Sequence, residues 1–306
     1  MGHGARAALI LVIGPATAAS RMRRATWETG IMDCVNTHPA SAPVLLACAH
    51  GTRDERGQRA VAALVEQVRA ALPEVDVVDT WVDVQEPDLV ARTREHAEHP
   101  AVVVPLLLSA GYHVFVDMAR AVQSSPQHVV AAALGPDRRL AGVMARRLTE
   151  ALDAAGAPGL APADRVLMVA AGSSDPRSRD DCELMARYLG DALGTPVTAA
   201  YLSAAQPSVP DAVAAARAEL GQHSERPGSH GRASRPYAAQ SSETTPADAG
   251  RVLLVPYLLA PGFFHGRVLT AGGDVVAEPL LVHPGSVPPE LMELTVEHYR
   301  EAASRA

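Results

Sequence analysis

The chain has 306 residues, of which 48% are hydrophobic and 20% charged. That is enough apolar mass for two cores, and it excludes a disordered chain, a collagen-like fibre and a coiled coil. All 27 basic residues are arginine, yet the formal charge is −7, which argues against a nucleic-acid partner bound by neutralising phosphates.

Residues 7–19, AALILVIGPATAA, follow Arg6 and end in small residues, a partial likeness to a secretory signal. The run is too short to span a bilayer, and Gly14-Pro15 interrupts it. Met22 and Met32 both precede the first convincing strand. Residues 1–41 are therefore read as an N-terminal tail, disordered or an over-extended start, and the chain as cytoplasmic with no membrane partner. Cys34, Cys48 and Cys182 form an odd, widely spaced set that fits a reducing compartment.

The chain contains itself twice. LLACAHGTRD (45–54) returns 121 residues later as VLMVAAGSSD (166–175), and VVVPLLLSAG (102–111) returns 151 residues later as LLVPYLLAPG (253–262). Glu86-Pro87 is answered by Gln206-Pro207. The offset grows because the second copy holds an insertion. Residues 221–250 contain no Val, Leu, Ile, Met, Phe or Trp, so they cannot offset their ordering entropy and are expected to be a disordered surface loop, with His223 and His230 in solvent.

Taken in order, the strand candidates are 44–49, 75–81, 101–108 and 128–133, then 165–170, 196–202, 251–259 and 275–282. The first and third runs of each copy are nearly continuous in apolar residues, as in parallel strands covered on both faces. Segments such as Arg56–Leu72 and Arg179–Leu193 carry apolar residues at helical spacing. Gly135-Pro136-Asp137 and Val287-Pro288-Pro289 introduce the last helix of each copy. The fold class is α/β: two tandem, internally repeated domains, 42–155 and 162–303, each with a roughly four-stranded parallel sheet flanked by helices.

In open α/β sheets ligands bind beyond the carboxyl ends of strands. His50 follows the first strand directly, and His113 follows the third, in SAGYH. Imidazole is both a ligand for Fe, Co, Ni and Zn and a base working near neutral pH. Either histidine alone reads better as a side chain satisfied by local hydrogen bonds; two at equivalent strand ends, each near a flexible glycine, read equally well either way. The second copy is an internal control: His50 aligns with Ala171 and His113 with Phe264, while His265 is shifted one place. One active cleft, built mainly by the first copy, is the simpler reading. His96 and His99 sit among charged residues before Pro100 and read as a solvated helix end. Cys48 reads as a small core residue.

HGTRD (50–54), Glu86-Pro87, PLLLSAGYH (105–113) with Asp117, and LGPD (134–137) together resemble the sirohydrochlorin chelatase family, in its long two-domain CbiX type, related in fold to the class II chelatases. The resemblance covers about residues 43–302. It implies insertion of a divalent metal into sirohydrochlorin, a reduced tetrapyrrole rich in carboxylates, with His50 and His113 binding the metal and accepting pyrrole protons. Fe2+, giving siroheme, is favoured over Co2+ for cobalamin. Beyond the metal substrate no cofactor is implied.

Glu86 is a candidate proton relay or further ligand, and equally a solvated carboxylate before a turn proline. Arg53, Arg56 and Arg59 open the first helix and could face substrate carboxylates; Gly111 and Tyr112 adjoin His113 as further substrate contacts. The chain has Ala49 where the family often has glycine, a harmless change unless the backbone there needs positive φ. His265 could reach the cleft from the second copy. A monomer is plausible, since two fused copies could complete one cleft. The alternatives are a porphyrin ferrochelatase on the same architecture and a non-catalytic two-lobed metal or tetrapyrrole binding protein.

Overall fold

A computed structural model describes residues 42–109, 113–123, 125–224 and 250–305, with 113–115, 223 and 224 described in backbone only. The tail expected over 1–41, most of the insertion, and Gly111 and Tyr112 lie outside the described residues. The first repeat runs β1 (Val44–Ala49), α1 (Glu55–Ala71), β2 (Val77–Trp81), α2 (Leu89–Glu95), β3 (Ala101–Pro105), a π-helical turn (His113–Met118) leading into α3 (Ala119–Val122), β4 (His128–Val130) and α4 (Arg138–Ala154). The second runs β5 (Arg165–Ala170), α5 (Pro176–Leu193), β6 (Val197–Tyr201), α6 (Val209–Ser224), β7 (Val252–Tyr257), α7 (Phe263–Leu269), β8 (Val275–Val276) and α8 (Pro289–Ala303).

Both sheets are four-stranded and parallel, with the same order: β2-β1-β3-β4 and β6-β5-β7-β8. All six residues of β1 and of β7 are buried, which is why these strands carry no polar alternation. Several expectations shift at the edges: the candidate 101–108 ends as strand at Pro105 and 128–133 at Val130. The candidate 275–282 keeps only Val275–Val276 as strand; beyond it Leu280 N and Leu281 N donate to Leu258 O and Leu259 O, which lie past the end of β7. The segment 221–250, expected as a loop, begins with the last turn of α6, which runs through Ser224. Adding residues to an existing helix closes one hydrogen bond each and needs no apolar burial.

Three helix starts follow one local rule. Asp54, Asp137 and Asp175 are the N-caps of α1, α4 and α5, each carboxylate accepting from the backbone N–H two residues on. In all three the residue donating that N–H is an arginine whose guanidinium also grips the same carboxylate: Arg56, Arg139 and Arg177. An N-cap of this kind stabilises a helix by about 1 kcal/mol.

Each sheet divides its side chains between two cores. Leu46, Cys48, Ala101 and Val103 face Leu89 of α2 and Ala121 of α3, and Leu167, Val169, Val252 and Leu254 face Val209, Val213 and Ala216 of α6. The opposite faces meet in one core that is continuous through both repeats, from Leu45, Ala47 and Val102 to Met168, Leu253 and Val255.

The final helices are exchanged. α8 packs on β3, β4 and α1 of the first repeat, and α4 packs on β7, β8 and α5 of the second. The exchange is pinned by polar contacts: Tyr299 Oη donates to Pro43 O at 2.6 Å, and the buried Arg147 donates to Leu280 O at 3.0 Å. Arg138 stacks over the Tyr188 ring at 4.3 Å. Leu291 and Leu294 of α8 are fully buried in the shared core, each side chain contributing about 1.5–3 kcal/mol of burial.

A shared core makes the repeats unfold together. Calorimetry of residues 42–305 is expected to give one cooperative transition, and Leu294→Ala to destabilise it by about 2–5 kcal/mol. Two separable transitions, with only the second moved by Leu294→Ala, would contradict the exchange.

Candidate functional site

The site is built at the carboxyl edge of the first sheet. β1 and β3 are neighbouring parallel strands, and Leu106 N donates to Cys48 O at 2.8 Å where both strands end. The two chains therefore leave the sheet side by side, one into His50 and the other toward His113. His50 is exposed at the tip of β1, its carbonyl accepting from Asp83 N at 3.0 Å. His113 opens the π-helical turn, a wide turn of a kind frequent at functional sites. Only its backbone is described, and the structure gives no distance between the two histidines.

The loop from His50 to Asp54 is held tightly. Gly51 has φ +97°, and a Cβ there would lie 2.0 Å from the Asp83 carbonyl oxygen, so neither conformation nor space admits a side chain. Ala49 lies in the extended backbone of β1, so its departure from the family's glycine is harmless. Thr52 N donates to Gln85 Oε1 at 2.9 Å, Gln58 Nε2 donates to Thr52 O at 2.8 Å, and Thr52 Oγ1 accepts from Asp54 N at 3.1 Å. Thr52 is thus tied to both the β2–α2 loop and the first turn of α1. The sequence reading missed Gln85 and Gln58, because amide tethers leave no pattern.

The candidate charged residues divide. Arg56 is committed to Asp54 through Nε at 3.2 Å and Nη2 at 2.8 Å. The hydrogen bond from Arg56 holds the Asp54 carboxyl down at about 2. Arg59 pairs with Glu55 at 3.1 Å on the open helix face. Arg53 is exposed and has no ion-pair partner among the described residues. Glu86 is exposed, and its Oε2 accepts from Asp88 N at 3.0 Å, which anchors the turn into α2 and leaves Oε1 toward solvent. Cys48 is buried inside β1, and burial pushes its thiol far above the ordinary range.

The second repeat closes one side of this loop. A Cβ on Gly57 would lie 2.1 Å from Pro261 O, and one on Gly262 would lie 3.0 Å from Thr52 Oγ1. The mirror contact joins the other ends: Ser109 Oγ and Ser178 Oγ are 2.9 Å apart, and Tyr257 Oη donates to Leu108 O. In the repeat alignment Ser178 takes the place of Gly57. His265 is buried at the start of α7; among the described residues neither ring nitrogen has a hydrogen-bond partner, and Nε2 lies 3.8 Å from Glu278 Oε2. Burial lowers its pKa, and Asp54 and Arg56 lie within electrostatic range of it. His96 caps the end of α2, and with His99 it offers its carbonyl to His128 Nε2 at 3.1 Å. Among the described residues no group of three or more His, Cys, Asp or Glu is arranged to hold a metal ion.

The corresponding edge of the second repeat keeps the backbone and changes the chemistry. Gly172 has φ +87°, with its virtual Cβ 1.9 Å from Ser203 O, and Ala204 has positive φ like Val84. On that matched frame His50 is replaced by Ala171, Arg53 by Ser174, Gln85 by Ala205 and Glu86 by Gln206.

Comparison with known proteins agrees with this architecture. The family model described as CbiX matches residues 44–151 and 165–224. SirB from Bacillus subtilis, solved with Fe3+, aligns with a TM-score of 0.58 at 19% identity, over 86% of this chain and 96% of that one. SirB from Bacillus subtilis subspecies spizizenii, in complex with cobalt, aligns with the same TM-score at 17% identity, over 86% and 96%. A structure of CbiX, described as the terminal enzyme for biosynthesis of siroheme in denitrifying bacteria, aligns with a TM-score of 0.51 at 17% identity, over 85% and 99%. At these identities the likeness is one of fold. No curated protein matches the chain by sequence.

Two expectations follow from the loop. Gly51→Ala should destabilise the protein by about 1–3 kcal/mol in equilibrium denaturation, the cost of a strained backbone conformation; an unchanged midpoint would contradict the packing. Asp54, held down at about 2 against an ordinary 3.8, contributes stability that is present above pH 4 and lost as pH falls from 4 toward 2. Asn can still cap the helix, so the melting-temperature gap between wild type and Asp54→Asn should narrow over that acid range. A constant gap would contradict the carboxylate–guanidinium grip.

Proposed function

We propose that this chain, which belongs to the CbiX family, is a metal chelatase that inserts a divalent ion into sirohydrochlorin. The observation that carries the reading is the chemical asymmetry of two matched repeats. The same backbone frame bears His50, Arg53 and Glu86 at one sheet edge, and Ala171, Ser174 and Gln206 at the other. A purely structural role for His50 would give no reason for that difference.

Metallation exchanges one divalent ion for two pyrrole protons. The ion must shed water and the ring must lose both N–H protons, so the reaction needs a ligand and a base in one place. Neutral imidazole is both. In this reading His50 and His113 take the ion and then accept protons. Glu86, with Oε1 open and Oε2 fixed on the Asp88 amide, passes protons to solvent.

Arg53 meets a substrate carboxylate. Arg56 and Arg59 already hold Asp54 and Glu55 and add only to the field. Gly111 and Tyr112 flank the ring beside His113. Fe2+ is the ion assigned, with Co2+ as the competing substrate, since imidazole accepts both.

We assign no resident cofactor, a monomeric cytoplasmic protein, and no nucleic-acid or membrane partner. Among the described residues no helix is long and apolar enough to cross a membrane.

The test is an anaerobic absorbance assay with sirohydrochlorin and either Fe2+ or Co2+. Wild type is expected to accelerate metallation above the metal-only background, with Fe2+ the faster. His50→Ala and His113→Ala should each lower the rate by about 10²-fold or more, the usual weight of a positioned acid–base group. Wild-type rates in both variants would contradict the site. A stoichiometric spectral shift without acceleration would make the protein a tetrapyrrole carrier, and activity on porphyrins alone would make it a ferrochelatase.

A further inference from the structure

At the second repeat's sheet edge lies a cavity of about 280 Å3 lined by Ser173, Ser174, Asp175, Arg179, Ala205 and Gln206, with Pro176 and Ala204 closing it. Its origin can be read from the first repeat. There the equivalent of Ser173 is Thr52, whose amide donates to the side-chain oxygen of Gln85 at 2.9 Å, and the equivalent of Arg179 is Gln58, which ties down the Thr52 carbonyl. In the second repeat Gln85 has become Ala205 and Gln58 has become Arg179. The backbone frame is unchanged, but the oxygen that satisfied the amide is gone and a guanidinium has been added.

The donors around this space are unspent. Ser173 N has no hydrogen-bond partner among the described residues, while Ser173 Oγ accepts from Asp175 N at 3.1 Å and keeps its own proton to donate. Gln206 uses Oε1 to accept from Ser208 N at 2.9 Å, which leaves its amide NH2 to donate. Asp175, the one carboxylate in the lining, is neutralised by Arg177 at 2.6 Å. Among the described residues the ion-pair partner of Arg179 is Glu183 at 3.8 Å, with both side chains 53% exposed, a contact that exchanges readily with a better acceptor. The amides at the start of α5 add the positive end of an eighteen-residue helix.

We propose that this cavity is a carboxylate-binding subsite, in which an oxyanion takes the position that the Gln85 amide oxygen holds in the first repeat, and that its occupant is a peripheral carboxylate of the tetrapyrrole. The choice of occupant rests on the function proposed above. It is favoured because Ser178, next to Arg179 in sequence, touches Ser109, so the start of α5 reaches the segment that follows β3 in the first repeat. At about 30 Å3 per water, the space holds a carboxylate together with its stem. The second repeat, having no histidine at the position of His50, thus keeps a share of the site: it anchors substrate while the first repeat does the chemistry.

The repeat itself supplies the test variant. Ala205→Gln returns the side chain that plugs the first repeat, and Arg179→Gln removes the guanidinium. Titration of sirohydrochlorin without metal, read by absorbance, should show its dissociation constant raised about tenfold in each, the scale of a lost charge-assisted hydrogen-bond set. The double variant should be no weaker than the stronger-acting single one, because both changes disable one subsite.

Nuclear magnetic resonance gives a second readout: the Ser173 amide should shift on titration with acetate in wild type and stay still in Ala205→Gln. If wild type metallates sirohydrochlorin but both variants bind it as tightly as wild type does, the subsite is overturned and the function stands. If wild type neither binds nor metallates the tetrapyrrole, the function falls and so does the occupant. The acetate titration then decides the carboxylate subsite alone, an unmoved Ser173 amide overturning it.

Discussion

Neither repeat of this protein covers the inner face of its sheet alone. Each repeat contributes a parallel sheet whose outer side is closed by its own helices, α2 and α3 or α6, and whose inner side is shared between its own first helix, α1 or α5, and the final helix of the other repeat. Parallel strands buried on both faces cannot leave one face wet, so the exchange of α4 and α8 makes the two repeats a single unit. Its consequence for the site is rigidity. The loops at the carboxyl edges press against the opposite repeat at Gly57 and Pro261, at Thr52 and Gly262, and at Ser109 and Ser178, so the His50 loop is clamped from the side as well as tied through Gln85.

That clamping explains how one fold can present two chemically different edges. The positive φ of Gly51 and Gly172 and the close carbonyls of Asp83 and Ser203 fix the frame in both repeats. With the frame fixed, side chains can diverge without disturbing the fold. The first edge accumulates a histidine, an arginine and a carboxylate. The second carries small and neutral residues, and the one place where it gains charge, Arg179, is where a tether has been lost.

Most of the fold was legible because its physics is written in periodicity. Continuous apolar runs marked β1, β3, β5 and β7, helical spacing marked α1 and α5, and proline marked the starts of α4 and α8. The repeat itself was visible from two short segments. The exchange of the last helices was not, since an amphipathic helix records that it has a buried face without recording which sheet covers it. The extension of α6 to Ser224 was hidden for a related reason, because a helix can outrun its last apolar residue.

The site was legible in part. His50 and Glu86 were read from their places after strands and Arg53 from its place at the opening of the first helix, and the structure puts the three on adjoining loops at the first sheet's edge. That Arg56 and Arg59 are consumed by Asp54 and Glu55 could not be read from charge spacing alone, although the Asp-x-Arg pattern at three helix starts is the signal in retrospect. Gln58 and Gln85 carry no signature, and their importance appears only when the first repeat is laid on the second.

In the proposed function the chemistry resides in the first repeat alone. The most direct measurement is the stoichiometry and ligand field of Co2+ bound to the protein without tetrapyrrole, followed by its visible absorption. The account predicts one ion per chain with nitrogen ligation, lost in His50→Ala and kept in Gln206→Ala. Two equivalent ions per chain, or a spectrum untouched by removing His50, would contradict it.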